Sequence, residues 1–191
     1  MSIIGGVGHD YSSLPDDLPA PVDDGAAGGL VGRRLPDQPL FSTRGGEFRL
    51  VEALPLLVAY VYPMTGTPGL PLPHGWDDIP GARGCTPQSC AYRDALADFE
   101  RLGAAVVGIS AQSSAEQVEF AAREHIPFPL LSDEGLRLAA DPGLPTFEVD
   151  GRTFYRRLTF VARDARIVKV FYPVFPPDRD AGEVLAWLAG A

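Results

Sequence analysis

Leu54-Pro55-Leu56-Leu57-Val58-Ala59-Tyr60-Val61-Tyr62 is a continuous apolar run bounded by prolines. A strand buried on both faces reads this way, because no position has to be polar to meet solvent. A second run of the same kind spans Ala104 to Ile109. Between the two, Tyr92, Leu96, Phe99 and Leu102 recur at helical spacing over Pro87 to Leu102, with Thr86 as the expected N-cap and Pro87 at the first helical position. A strand, a helix and a second buried strand in succession predict an α/β architecture with a mixed central sheet.

The pattern continues toward the C-terminus. Ser113 to Glu116 reads as a capping box that opens a helix to about His125, with Val118, Ala121 and Ala122 inward. Phe128 to Leu131 is strand-like. Arg156 to Ala162 and Arg166 to Tyr172 are strand candidates joined through Arg163, Asp164 and Ala165, a connection short enough for a hairpin. Asp178 to Leu188 closes the chain as a helix with Val184, Leu185 and Leu188 inward, Trp187 in the core, and Asp178 and Asp180 as first-turn helix charges. Toward the N-terminus, residues 1–39 are rich in Gly, Pro and Asp without sustained periodicity. They read as an arm ahead of a single domain over 40–191.

The chain has 191 residues, 46% of them apolar, enough for one domain with a full core, and a formal net charge of −9. That charge argues against a nucleic-acid backbone or an anionic membrane as partner. The first residues carry no basic or apolar leader, and no run of apolar residues is long enough to span a bilayer, so the cytoplasm is the expected compartment. In a reducing compartment the two cysteines, Cys85 and Cys90, are expected to be catalytic or redox-sensing. With scattered His9, His74 and His125 they fit no tetrahedral metal pattern, and no cofactor or metal is expected.

Five residues along an intact helix amount to roughly 7.5 Å of rise and about 140° of rotation, which sets the Cα atoms roughly 8 to 9 Å apart. Disulfides rarely tolerate more than about 7 Å. Cys85 and Cys90 therefore bond only if Thr86 to Ser89 unwinds, which makes the disulfide a transient state. Cys85 lies at the expected helix start, where unpaired N–H groups and the dipole favour a thiolate, and Cys90 lies one turn inside. The asymmetry assigns attack to Cys85 and resolution to Cys90.

Several separated segments resemble the Q-type (bacterioferritin-comigratory) peroxiredoxins of the alkyl hydroperoxide reductase and thiol-specific antioxidant superfamily. They are Tyr62-Pro63 with Thr67-Pro68-Gly69, Gly84-Cys85-Thr86 with Cys90, Tyr92-Arg93-Asp94 and Val107-Gly108-Ile109-Ser110. Phe128-Pro129-Leu130-Leu131-Ser132-Asp133, Arg157-Leu158-Thr159-Phe160 and Val184-Leu185-Ala186-Trp187-Leu188 follow in the family's order. The resemblance runs from about Leu35 to the C-terminus. It implies a thioredoxin-like fold and a peroxidase that reduces hydrogen peroxide and organic hydroperoxides through a Cys85 sulfenic acid and a Cys85–Cys90 disulfide. A thioredoxin-like dithiol would recycle it, and a monomer is the implied state. By motif, Pro63 shields the thiol, Thr67 holds the peroxide and Arg157 polarises it. Donors and a fixed cation suit the negative charge that develops on the departing oxygen.

One departure stands out. The family's threonine lies three residues before the cysteine, whereas Thr67 lies eighteen before Cys85, with Leu70 to Gly84 inserted. Thr65 is the alternative hydroxyl. The insertion carries Pro71, Pro73, His74, Trp76, Asp77 and Asp78, and its sequence leaves capping the site, narrowing substrate choice and contacting a partner equally open. Arg156 and Arg157 point to opposite faces if the strand includes them, so at most one reaches the site. Tyr62 reads as a core residue or as a participant. Two other functions use the same residues: a thiol-disulfide oxidoreductase, although its usual Cys-x2-Cys spacing is absent, and a redox sensor whose helix start is remodelled on oxidation.

Overall fold

In this computed structural model, Leu14, residues 17–53 and residues 55–191 are described. Asp16 and His9 lie outside the described residues, as does Leu54. The strand read from the opening run is β3 (Leu56–Val61), every residue of it buried. It pairs in parallel with β4 (Ala104–Ser110) and antiparallel with β8 (Leu158–Arg163). β5 (Leu130–Ser132) adds in parallel to β4, and β9 (Arg166–Phe171) adds to β8 through a hairpin. Asp164 and Ala165, at the hairpin turn, both adopt positive φ, the twist that a two-residue turn between right-twisted strands requires.

A second hairpin, β1 (Pro39–Ser42) and β2 (Glu47–Arg49), extends the sheet beyond β5. The seven strands run β2-β1-β5-β4-β3-β8-β9. Neither this hairpin nor the separate pair β6 (Thr146–Val149) and β7 (Arg152–Tyr155) was expected from the pattern. These strands are short and only partly buried, so no long apolar run announces them.

Alternation along β3 explains the continuous apolar sequence. Leu57, Ala59 and Val61 enter one core cluster, and Leu56, Val58 and Tyr60 enter another on the opposite face. The second core is covered by α1 (Cys85–Asp94), α2 (Leu96–Arg101), α3 (Ser114–Arg123) and α5 (Asp180–Ala189) through Tyr92, Phe99, Phe120 and Val184. A short α4 (Arg137–Ala140) supplies Leu138 to the first. Gly108 in β4 lets Tyr60 and Leu130 close over the backbone: a Cβ there would meet them at 2.7 and 2.6 Å. The N-terminal segment adds Ala27, Leu30 and Leu35 to the first core, and residues 32–35 run beside the β9 edge through Gly32 N–H to Ile167 O, 2.8 Å, and Ile167 N–H to Arg33 O, 2.9 Å. That contact covers an otherwise open strand edge.

Four local expectations are corrected. The helix after β3 starts at Cys85 with Gly84 as N-cap, so Thr86 and Pro87 lie inside its first turn. Gly84 takes φ +99, and a Cβ there would sit 2.6 Å from Pro177 Cγ. The single expected helix is two, separated at Ala95. In α3 the Ser113–Glu116 capping box is present, but Gln117 and Phe120 are the buried residues, whereas Val118 and Ala122 are exposed and Ala121 is half-buried. Gln117 goes inward because its amide donates to Gln112 O at 3.2 Å and Leu131 O at 3.1 Å, while its oxygen accepts from Tyr62 Oη at 3.2 Å. In α5, Asp180 is buried and Trp187 only half-buried, its ring edge-on to Phe171. Asp180 turns inward because three donors of the core await it.

Candidate active site

The site forms where β3 ends, α1 begins and β8 begins. Antiparallel register sets Val61 opposite Leu158, so Arg157 enters beside the end of β3, on the same side as the first turn of α1. Arg157 is 4% exposed, and its Nη2 stands 3.1 Å from Cys85 Sγ. The guanidinium also donates to the carbonyls of Gly81 (3.2 Å), Ala82 (3.3 Å) and Arg83 (3.0 Å), and to Gln88 Oε1. These acceptors hold the cation in one orientation, and the cation in turn fixes the loop that leads into Cys85. Arg156 points away: its side chain is about two-fifths exposed and lies 3.8 Å from Asp24 Oδ2.

Behind the guanidinium lies a network that sequence reasoning missed. Gln88 Nε2 donates to Asp180 Oδ2 at 2.8 Å, joined there by Thr159 Oγ1 at 2.7 Å and Tyr92 Oη at 2.9 Å. Burial pushes the Asp180 carboxyl above the usual aspartate range, against the lowering effect of these donors. The chain Asp180–Gln88–Arg157–Cys85 thus links a buried carboxyl to the thiol through a single amide. Tyr60 stacks on Tyr92 at 4.5 Å and donates to Ser89 Oγ at 3.1 Å, so the first turn of α1 is anchored from below. Burial drives the hydroxyls of Tyr60, Tyr62 and Tyr92 well above the ordinary tyrosine value.

Cys85 is 3% exposed. It opens onto a small cavity whose walls include Met64, Thr65, Ala82 and Thr86. Thr65 is held by Gln112: its N–H donates to Gln112 Oε1 at 2.8 Å, its hydroxyl donates to the same oxygen at 3.0 Å, and its carbonyl accepts from Gln112 Nε2 at 3.2 Å. Thr67 stands in the wall of an adjoining larger cavity with Leu70 to Pro73. Pro63 is buried, its carbonyl accepting from Ser110 Oγ at 3.0 Å. Cys90 lies half-buried on the same helix, 3.8 Å from Glu124 Oε2, and burial first, then Glu124, raises its thiol above the ordinary value. Both thiols are free. Trp76 of the insertion is 2% exposed, packed edge-on to Phe154, and it also lines the Cys85 cavity. Among the described residues no cluster of three metal-ligating side chains occurs, and no helix is long and apolar enough to cross a membrane.

A thioredoxin-like sheet carrying a buried thiol at a helix start, with a fixed guanidinium on its sulfur, defines a thiol-based redox enzyme. The AhpC/TSA family matches residues 79–171. The chain is 30% identical over 179 residues to the chloroplastic peroxiredoxin Q of Arabidopsis thaliana, covering 90% of this chain and 76% of that one. The chain therefore belongs to the peroxiredoxin Q group of the AhpC/TSA family, and it is a thiol-dependent peroxidase. The crystal structure of the peroxidoxin BcpB from Mycobacterium tuberculosis superposes with a TM-score of 0.68 at 28% identity, covering 84% of this chain and 97% of that one. A bacterioferritin comigratory protein of Xanthomonas campestris, described for its alkyl peroxide reduction activity, superposes with a TM-score of 0.62 at 25% identity, covering 91% and 98%. The chain spans only about half the length of several other plant relatives, 52% for the rice protein.

Proposed function

We propose that Cys85 is the peroxidatic residue and Cys90 the resolving one. The observation that carries this reading is the guanidinium of Arg157, 3.1 Å from a buried Cys85 sulfur at the first residue of a helix. The Cys85 thiolate attacks one peroxide oxygen, the O–O bond breaks, and the departing oxygen takes a proton and leaves as water or an alcohol. Sulfur is oxidised to sulfenic acid and the peroxide is reduced. Arg157 and the N–H groups of Cys85 and Thr86, which precede the first intrahelical bond from Gln88 N–H to Gly84 O, stabilise the negative charge as it moves. By the family motif, Pro63, buried just after the end of β3, is the residue that shields the sulfur. Of the two hydroxyls, Thr65 is favoured to accept the peroxide's hydrogen bond because it shares the thiol's cavity, while Thr67 lines the approach.

The Cys90 thiol then attacks the Cys85 sulfenic sulfur and water leaves, which forms the disulfide. The two residues lie five apart on α1, so the turn from Thr86 to Ser89 unwinds first. A thioredoxin-type dithiol, the reductant used by peroxiredoxins of this kind, returns both sulfurs to thiols. Both cysteines lie on one helix of one chain, which supports action as a monomer. The dithiol step needs a reducing compartment such as the cytoplasm, although several relatives are named as chloroplastic.

The test is peroxide consumption with thioredoxin and its reductase, together with single-turnover oxidation of each variant. Cys85→Ser is expected to be inert. Cys90→Ser is expected to oxidise once, at the wild-type rate constant, and then stop. Turnover surviving in Cys85→Ser would overturn the assignment.

A further inference from the structure

The cavity over Cys85 measures about 20 Å³. On this measure one water needs roughly 10 to 15 Å³, so the space admits two oxygen atoms and little more. Five of its lining residues, Leu72, Trp76, Ala82, Arg83 and Gly84, come from the insertion that precedes the cysteine, and Leu72 and Trp76 are the two large apolar ones. The insertion therefore does not loop away from the site. It folds back as a short 3-10 turn (Trp76–Asp78), with Trp76 clustered against Met64, Ala82 and Phe154 and with Asp77 paired to Arg83 at 3.4 Å.

In-line attack fixes the direction in which a substrate extends. Sulfur, the attacked oxygen and the departing oxygen lie in a row, so any organic group on the departing oxygen projects away from Cys85 and has to fit within walls that include these two side chains. The adjoining cavity of about 250 Å³ shares Met64, Thr65, Gly66 and Leu72 with the small one. It offers the approach, and Leu72, half-buried, stands between the two spaces.

We propose that the insertion from Leu70 to Gly84 is a size filter: Leu72 and Trp76 restrict Cys85 to hydrogen peroxide and hydroperoxides of comparable size, and exclude bulky organic ones. This rests on the peroxidase reading and narrows its substrate class. Trp76 is the fixed wall, because its ring packs against both Phe147 and Phe154, which also pack on each other. Leu72 is the adjustable one.

The experiment measures the second-order rate constant of Cys85 oxidation, in the Cys90→Ser background, with hydrogen peroxide and with cumene hydroperoxide. Trapped sulfenic acid is quantified by mass spectrometry. For the native insertion, cumene hydroperoxide is expected to react at least roughly 100-fold more slowly than hydrogen peroxide. Leu72→Ala should raise the cumene-to-hydrogen-peroxide ratio about tenfold, and Leu72→Phe should lower it. A general loss of packing would depress both rates together and leave the ratio fixed. Equal rates for the two peroxides with the native insertion, or a ratio that neither Leu72 variant moves, would overturn the filter while leaving the peroxidase reading intact. If neither peroxide oxidises Cys85 faster than free cysteine, the peroxidase reading fails and the filter fails with it.

Discussion

Replacing Arg157 by Met removes the guanidinium from the Cys85 sulfur while keeping most of the side chain's volume. At 3.1 Å, a guanidinium and a thiolate attract by about 5 kcal/mol at an effective dielectric near 20. Not all of this appears in the rate, because negative charge leaves sulfur for the departing oxygen and only the interaction retained or gained in the transition state counts. Removing a fixed donor from a developing anion costs about 10² to 10³ in rate, about 3 to 4 kcal/mol, and that is the expected loss in the rate constant for hydrogen peroxide. Arg157→Lys separates charge from geometry. An ammonium keeps the charge but cannot serve three carbonyls, an amide oxygen and the sulfur at once, so a loss of roughly tenfold is expected. The assay is stopped-flow fluorescence under excess peroxide, with Trp76 beside the site as reporter, on variants shown by circular dichroism to be folded. A Met variant within about threefold of wild type would refute the argument, and the helix start alone would then account for the thiol's reactivity.

Three further outcomes follow from the geometry. Gly84→Ala places a Cβ 2.6 Å from Pro177 and 2.8 Å from Leu14 at a φ of +99, so denaturant unfolding should show a loss of at least ~1–3 kcal/mol. Burial holds the Asp180 carboxyl above its ordinary 3.8, so the native state binds this proton more tightly than the unfolded chain does. The resulting stabilisation is full below the unfolded value and is lost as pH rises through the folded one. Asp180→Asn lacks this titration, so stability of the Asn variant relative to wild type should increase as pH rises through that window, and a flat difference would count against it. For Cys90, burial and then Glu124 raise the thiol while Arg93 lowers it. Glu124→Gln in a Cys85→Ser background should therefore shift the pH profile of Cys90 alkylation downward.

Reading the sequence located what is encoded within a few consecutive residues. β3 and β4 were legible because a strand with a core on each face has no need of polar positions, and the capping box of α3 was legible because its two partners are three residues apart. The inward face of α3 was not, since one of its two buried positions is a glutamine, and only the carbonyls of Gln112, in the turn before the helix, and Leu131, in β5, make an inward amide favourable. The first-turn place of Asp180 was legible but its burial was not, for the same reason. It does stand in the first turn of a helix, but its partners Gln88, Tyr92 and Thr159 come from two other elements.

The two cysteines, their spacing at a helix start and the succession of buried strand, helix and buried strand around them were determined by sequence alone. Tertiary structure decided the surroundings of the sulfur. Arg157 reaches Cys85 across 72 residues because β8 runs antiparallel to β3 and its first residues fall beside the end of that strand. The insertion, whose role the sequence left open, became a wall of the site because Trp76 found aromatic partners in β6 and β7, two strands that no local pattern revealed. Periodicity and capping report interactions between near neighbours along the chain. A reactive pocket is assembled from distant segments, and strand register and side-chain packing alone bring those together.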